Sequence, residues 1–485
     1  MGFEFPTLSN IAGMAIIVLD GITIAVAIYR GHGVERTLMW IFAIVAIPAA
    51  GAIAYLALAR PSIRRAKRRR RRTRGWVRRS GRATAAMPRF GATGEAPPAA
   101  RLLHLAAELT DLPPTEGNDV ELLTEDTLAF RRIEEAMRGA KRSIWAEYYI
   151  IKNDTTGKRF LRLLAEKAAE GVKVYLLYDA IGSLGLDRTR LEALRAAGGA
   201  AKAFLPFNPL RRRWSVHLRN HRKLIVVDGG VGFTGGMNVA DQYSGRARRR
   251  GTLHYRDGHL AIRGPAVGQL AEVFAEDWAF ATEEVLKIEE PPESTSPEGK
   301  APQGAVVAVI PSGPDQNPNA SSMTYFAGIT SATKRLYLST PFFLPDEPML
   351  SALVSAALGG VDVRILVPAK NDVLLVGLAS RCFYRDLVAS GVRIFEYLPS
   401  ALHSKTMVVD GAWGIVGSAN MDIRSFRLNF ELSAMVVDRQ FAKVLEKSFL
   451  ADLKDSREIT PDQVESYGVI RRLVDGTAKL LSPLL

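Results

Sequence analysis

The chain has 485 residues, 47% of them hydrophobic, and carries 64 Lys and Arg against 50 Asp and Glu for a formal charge of +14. One cysteine, Cys382, excludes an intramolecular disulfide and any cysteine-built metal site. The charge is too local for a nucleic-acid groove: thirteen of the basic residues lie between 60 and 82 with no acid among them, leaving 14 − 13 = +1 for the rest.

Two apolar runs come first. Ile11 to Tyr29 is 19 residues interrupted by Asp20, and Thr37 to Leu58 is 22 residues without a charge. Each is long enough to cross a hydrocarbon core of about 30 Å. A secretory signal fits poorly, because the first ten residues carry Glu4 and no Lys or Arg. Asp20 is costly in lipid and is expected to face the partner helix.

Arg60, Arg64, Arg65, Lys67 and the string Arg68 to Arg72 follow the second run, where positive charge keeps a segment in the cytoplasm. With only the short stretch Arg30 to Arg36 between the runs, a hairpin with both ends cytoplasmic is expected. The basic run also suits an anionic membrane surface, at about 1 kcal/mol per residue. Residues 1–59 are therefore read as a transmembrane hairpin and 60–115 as a basic juxtamembrane segment and linker. The linker reading rests on the Gly, Ala, Pro and Thr content of 75–115. The expected localisation is a cell (inner or plasma) membrane, multi-pass, with the large C-terminal part cytoplasmic.

Leu128 to Met137 reads as a helix, Ser143 to Ile151 as a strand, Phe160 to Glu170 as an amphipathic helix and Val172 to Tyr178 as a strand. The series returns at Lys334 to Leu338, Met349 to Leu358 and Val361 to Val367, with Gly171-Val172 echoed by Gly360-Val361. Such alternation predicts an α/β sheet. The Pro- and Ser-rich stretch Glu289 to Gly304 separates halves placed at 116–290 and 305–485. Phe441 to Phe449 and Arg471 to Leu484 read as further helices.

Each half contains one copy of an unusual octapeptide. His221-Arg222-Lys223-Leu224-Ile225-Val226-Val227-Asp228 recurs 182 residues later as His403-Ser404-Lys405-Thr406-Met407-Val408-Val409-Asp410. The match continues through Gly229, Gly232, Gly235 and Asn238 to Gly411, Gly414, Gly417 and Asn420, with nine of eighteen positions identical. Two copies at this length mean an internal duplication, each unit bringing half a site.

On a buried strand His221 and Lys223 project from one face, as do His403 and Lys405. Asp228, seven positions on, points the other way and suits the Gly-rich turn. Two histidines, two lysines and two asparagines without a carboxylate cluster fit phosphoryl transfer. Ammonium and amide donors hold the nonbridging oxygens, one imidazole attacks phosphorus and the other protonates the departing alkoxide. No metal and no cofactor is called for. Arg219 and Arg222 flank the first histidine, and Arg211 to Arg213 with Trp214 form either a membrane-facing rim or a solvated loop. Tyr148 and Tyr149, near the first strand, either line the site or, as the stronger reading, pack in the core.

The paired HxKxxxxD signature, with Gly-Gly-x-Asn after one copy and Gly-Ser-x-Asn after the other, resembles the phospholipase D superfamily. Arg219-Asn220-His221-Arg222-Lys223, Tyr255-Arg256-Asp257, the run Thr340 to Asp346, Gly417-Ser418-Ala419-Asn420-Met421-Asp422 with Arg424-Ser425, and Asn429-Phe430-Glu431 make it similar to the bacterial cardiolipin synthases. Tyr255 departs from the expected Trp. The resemblance implies two phospholipase D-like α/β sandwich halves related by a pseudo-twofold, behind two transmembrane helices. It implies transfer of a phosphatidyl group between two phosphatidylglycerol molecules through a phosphohistidine, with release of glycerol. His221, Lys223, Asp228, His403, Lys405 and Asp410 are the implied catalytic residues, with Asn238, Ser418 and Asn420 on the phosphate. Glu431, and by extension Asp257, would back the imidazoles. A hydrolytic phospholipase D or another phosphatidyltransferase stays open; a superfamily nuclease fits the two apolar runs less well.

Overall fold

The computed structural model describes residues 8–30, 34–58, 75, 99–124, 126–206, 218–245, 254–288, 304–316 and 318–480. The basic run around residues 60–82, the Arg211–Trp214 cluster and nearly all of the 289–304 stretch lie outside the described residues. The chain divides into two compact units, Met1–Ala66 and Lys67–Leu485.

In the first unit, α1 (Leu8–Arg30) contains an 18-residue window, Ala12–Tyr29, of mean hydropathy 2.1 and is long enough to cross a membrane. The second apolar run does not form one helix. It gives α2 (Val34–Ala46) and α3 (Ala50–Leu58), each short of a spanning length. Pro48 lies in the break, where a ring without an N–H cannot continue the helix, and Ala49 takes a left-handed φ of 60°. Asp20 finds its role here. Its carboxylate accepts from the Ala49 N–H at 3.1 Å, satisfying an amide at the start of α3 and setting a negative charge against that helix N-terminus.

The second unit is built on one sheet. Its first half contributes β1 (Thr115–Leu123), β2 (Ser143–Tyr148), β3 (Lys173–Asp179), β4 (Ala200–Phe204), β5 (Arg219–Asn220), β6 (Lys223–Val227), β7 (Val231–Gly235), β8 (Tyr255–Arg256) and β9 (His259–Arg263). The second half contributes β10 (Ala305–Ser312), β11 (Arg335–Ser339), β12 (Phe343–Leu344), β13 (Asp362–Pro368), β14 (Arg393–Tyr397) and β15 (Ala401–Leu402). It continues with β16 (Thr406–Val409), β17 (Trp413–Gly417), β18 (Met421–Asp422), β19 (Asn429–Val437) and β20 (Ser456–Ile459).

The strand order is β20-β14-β13-β11-β16-β17-β19-β10-β1-β9-β7-β6-β2-β3-β4. Read outward from the antiparallel β1–β10 seam, the halves repeat one order, with β20 an added edge. The duplication is thus a structural one. Each half has its own apolar core, one holding Ile144, Leu164, Val174 and Ile225, the other Leu338, Leu353, Ile365 and Met407.

One stretch read as linker is instead structured. Ala100–Thr110 is a helix whose Leu102, Leu103 and Ala106 enter the core of the second half beside Ala308 and Ile310. Its apolar residues recur at helical spacing, but the Ala-rich composition masks them.

Candidate active site

Each HxK histidine stands just ahead of its strand rather than within it: β6 begins at Lys223 and β16 at Thr406. The short strand before each histidine leaves its own half. β5 pairs in parallel with the start of β19, and β15 pairs in parallel with β8. His221 N–H then donates to the Phe430 carbonyl at 2.9 Å, and His403 N–H to the Arg256 carbonyl at 2.8 Å. The residue after each of those carbonyls is an acid, Glu431 or Asp257. His221 Nδ1 lies 2.9 Å from Glu431 Oε2, and His403 Nδ1 lies 2.6 Å from Asp257 Oδ2. Both motif imidazoles are therefore oriented through Nδ1 by a carboxylate of the opposite half, which leaves Nε2 as the nitrogen for chemistry.

Behind the imidazoles the two lysines are buried. Lys223 Nζ donates to the His221 carbonyl at 2.6 Å and lies 5.5 Å from the centre of the Tyr149 ring. Lys405 Nζ lies 2.7 Å from His403 Nδ1 and also donates to the His403 carbonyl. Burial pushes the Lys405 ammonium down to about 8, although Asp257 and Glu431 pull the other way, and it pushes Lys223 well below the usual lysine range. Burial also lowers His221 to about 4, against the pull of Glu431 and with help from Lys223. His403 moves down for the same reason, burial first and Lys405 next. Both imidazoles are neutral at pH 7 in the unliganded site. The carboxylates lie below their ordinary range because the surrounding cations and hydrogen bonds outweigh their burial.

The twofold is imperfect at one informative position. Gly236 and Ser418 correspond in the duplication, and a Cβ at Gly236 would collide with the Asp257 carboxylate. In the other half Ser418 takes that place and donates its hydroxyl to Glu431 Oε2 at 2.5 Å, while Asn429 Nδ2 donates to Oε1 at 3.2 Å. Ser418, expected on the phosphate, is wholly buried and its hydroxyl is engaged by Glu431.

Asp228 and Asp410, expected among the catalytic residues, sit in the turns that follow the motif strands. Asp228 accepts from the backbone N–H groups of Lys141, Arg142 and Ser143, and Asp410 from those of Thr333, Lys334 and Arg335, all at 2.7–2.9 Å. With φ near 50° they close the tight turn after each motif strand. Their carboxylates make no bond to the histidines.

Asn238 and Asn420 are buried, Asn238 reaching toward His403 through Tyr243. Asn238 accepts from Ile150 N–H and donates to the Tyr243 hydroxyl at 3.0 Å; Asn420 donates to Asp422 at 3.2 Å. Of the arginines flanking His221, Arg219 pairs within its own half and Arg222 reaches across to the other. Arg219 pairs with Asp179, while Arg222 reaches the Glu431 carbonyl, the Ser312 carbonyl and Asp277.

Three tyrosines complete the walls. Tyr149 meets the His221 ring edge-on at 4.9 Å, and Tyr243 and Tyr255 each lie 5.2 Å from the His403 ring. The Tyr243 hydroxyl, which accepts from Asn238, is 3.3 Å from His403 Nε2. Burial, with Asp257 adding to it, raises this phenol well above its usual range, so it stays a donor. Sequence comparison of the two copies could not find Tyr243, because its counterpart five residues after Asn420 is Ser425.

Two imidazoles, each oriented by a carboxylate and set beside a buried ammonium, at the seam of a duplicated α/β sheet, define an enzyme of the phospholipase D class. A family model described as cardiolipin synthase, PLD-like domain, matches residues 133–278 and 325–453. The cardiolipin synthase of Geobacillus sp. (strain WCH70) is 41% identical over 388 residues, 79% of this chain and 76% of the relative. Cardiolipin synthase A of Pseudomonas putida (strain W619) is 40% identical over 386 residues, 79% of this chain and 78% of that one. The crystal structure of phosphatidylserine synthase from Haemophilus influenzae Rd KW20 shares the fold, with a TM-score of 0.60 at 15% identity, over 79% of this chain and 98% of that one. The chain belongs to the cardiolipin synthase family of phospholipase D-like phosphatidyltransferases.

Proposed function

We propose that the chain joins two phosphatidylglycerol molecules into cardiolipin and releases glycerol, at one site shared by both halves. The observation that supports this most is the exchange of carboxylates, Glu431 on His221 and Asp257 on His403, which makes neither half complete alone. Neutral His221, its Nδ1 proton held by Glu431, attacks phosphorus through Nε2. As the P–N bond forms, the P–O bond to glycerol breaks, and the leaving oxygen takes a proton from His403 Nε2. The phosphodiester's negative charge raises the His403 pKa on binding, so the acid is charged when substrate is present. The hydroxyl of a second phosphatidylglycerol then gives its proton back to His403 and attacks phosphorus, breaking the P–N bond. Lys223 and Lys405 stabilise charge on the nonbridging oxygens, with Asn238 and Asn420 as neighbouring amides.

Ser418 supports this division of labour. Its hydroxyl and the Asn429 amide both hold Glu431 in place behind His221, the rigid backing an attacking imidazole needs, while Asp257 accepts from the Gly258 N–H and meets His403. We assign His221 as nucleophile and His403 as acid and base on that ground. α1 with the jointed α2 and α3 would anchor residues 1–59 as a hairpin in the cell membrane, and the basic segment after it would lie on anionic headgroups with the catalytic part cytoplasmic.

Purified enzyme given phosphatidylglycerol alone should yield cardiolipin and glycerol in equal amounts. Given cardiolipin and labelled glycerol, it should return labelled phosphatidylglycerol, because the diester broken and the diester formed are chemically alike. Phosphatidic acid as the only product from either lipid would overturn the synthase reading in favour of a hydrolase.

A further inference from the structure

The sheet ends that carry the site also carry exposed apolar side chains. β3 and β13 are equivalent parallel strands, and the segment after each exposes a leucine: Leu184 in a loop and Leu374 at the start of a helix are both 73% exposed. Val373 and Leu375 extend the second tip. Both tips are tied to the walls of the site. Ser183, next to Leu184, donates to the carbonyl of Tyr149 at 2.9 Å, and Tyr149 lies against His221. Asp372, two residues before Leu374, accepts from the Tyr255 hydroxyl at 3.0 Å, and Tyr255 lies against His403.

The helix Val469–Leu480 packs beside the helix Leu374–Arg381 with its polarity reversed. Asp475 and Ala478 face the body, with Asp475 paired to Arg381 at 2.6 Å. Val469, Ile470, Leu473, Val474 and Leu480 point outward, Ile470 being 80% exposed. At 3.6 residues per turn those five fall within an arc of about 140°. Lys479 and Arg472 border that arc, fastened over the Phe383 ring and to the Glu465 carbonyl, and Arg471 lies further round over the Tyr467 ring. An apolar arc edged by cations on a helix lying flat on a protein matches the boundary between headgroups and acyl chains of an anionic bilayer.

We propose that Leu184, the Val373–Leu375 tip and the outer face of Val469–Leu480 enter the interface of an anionic bilayer and set the mouth of the active site on the lipid surface. This deepens, and rests on, the lipid substrate proposed above. A diacyl substrate could then present its headgroup to the histidines while its chains stay in lipid, so the enzyme need not extract the whole molecule.

The test uses the full chain in vesicles of phosphatidylglycerol and phosphatidylcholine. With Cys382→Ser as background, a nitroxide is attached at Leu374→Cys, at Ile470→Cys or, as a solvent control, at Glu192→Cys. The two rim labels should collide more with oxygen than with a water-soluble nickel chelate, and the control should do the reverse. Rim labels that behave like the control, or that show dipolar broadening from a second copy's label, would overturn the proposal.

In parallel, the triple variant Leu184→Ser, Leu374→Ser, Ile470→Ser should lose about tenfold or more of its rate on vesicles, as expected when apolar groups are withdrawn from lipid, and keep its rate on detergent-dispersed substrate. Equal losses in both media also count against it. If the unmodified enzyme makes no cardiolipin in either medium, the substrate assignment fails, while the collision data still decide whether the rim meets lipid.

Discussion

His221 Nδ1 and Glu431 Oε2 stand 2.9 Å apart although 210 residues separate them and each belongs to a different half of the sheet. His403 and Asp257 repeat the arrangement in the opposite sense. An imidazole so held can neither flip nor change tautomer freely, and its positive form is favoured when it charges. In the proposed reaction the two halves therefore cannot work as separate enzymes.

Single replacements should show this. His221→Ala and His403→Ala are each expected to remove transfer by a factor of about 10⁴ or more, because groups acting as a unit lose function together. A steady-state assay with either variant keeping about half the rate would instead mean two independent sites.

The carboxylates should matter in graded fashion. Glu431→Gln and Asp257→Asn remove the charge without changing the shape, and each should lower kcat about a hundredfold or more. Ser418→Ala takes away one hydrogen bond to a charged group and should lower kcat about tenfold, leaving KM nearly unchanged. A Ser418→Ala effect confined to KM would return this serine to the phosphate.

The pH profile follows from the buried lysine. Lys405 is charged below about 8 and neutral above it, so kcat/KM, which already declines above about 4 as free His403 loses its proton, should fall more steeply as pH rises through 8 while the protein stays folded. On the acid side, His221 keeps its lone pair down to about 4, so its protonation should not limit attack near 6.5. Titrating the rate with circular dichroism recorded alongside checks both limbs. A rate that holds flat to pH 10 would contradict an ammonium with a depressed pKa at the phosphate.

Asp228 and Asp410 should separate stability from chemistry. Each satisfies three backbone N–H groups in a turn, and replacing either with Ala should cost about 1–3 kcal/mol, since donors lose their partner. Thermal unfolding should shift down while the rate per folded molecule stays near that of the parent. A catalytic loss without a stability loss would restore these aspartates to the reaction.

The duplicated octapeptide made the two halves and the four central side chains legible, because identical chemistry at identical spacing has no bland explanation. It could not say which carboxylate meets which imidazole. That depends on β5 and β15 crossing to the other half, and these two-residue strands have no periodicity to read. The break at Pro48 was visible as a residue but hidden by the apolar run around it, and the role of Asp20 required the fold. Tyr243 was invisible for a different reason: it breaks the twofold, and a repeat reveals only what both copies keep.

The assignment of roles is tested most directly by trapping the intermediate. Wild-type enzyme mixed with phosphatidylglycerol labelled in its phosphate, quenched in alkali within a turnover and digested, should carry label on the peptide containing His221 and on no other. Label on the His403 peptide, or shared between the two, would contradict a single site in which His221 attacks and His403 moves the proton.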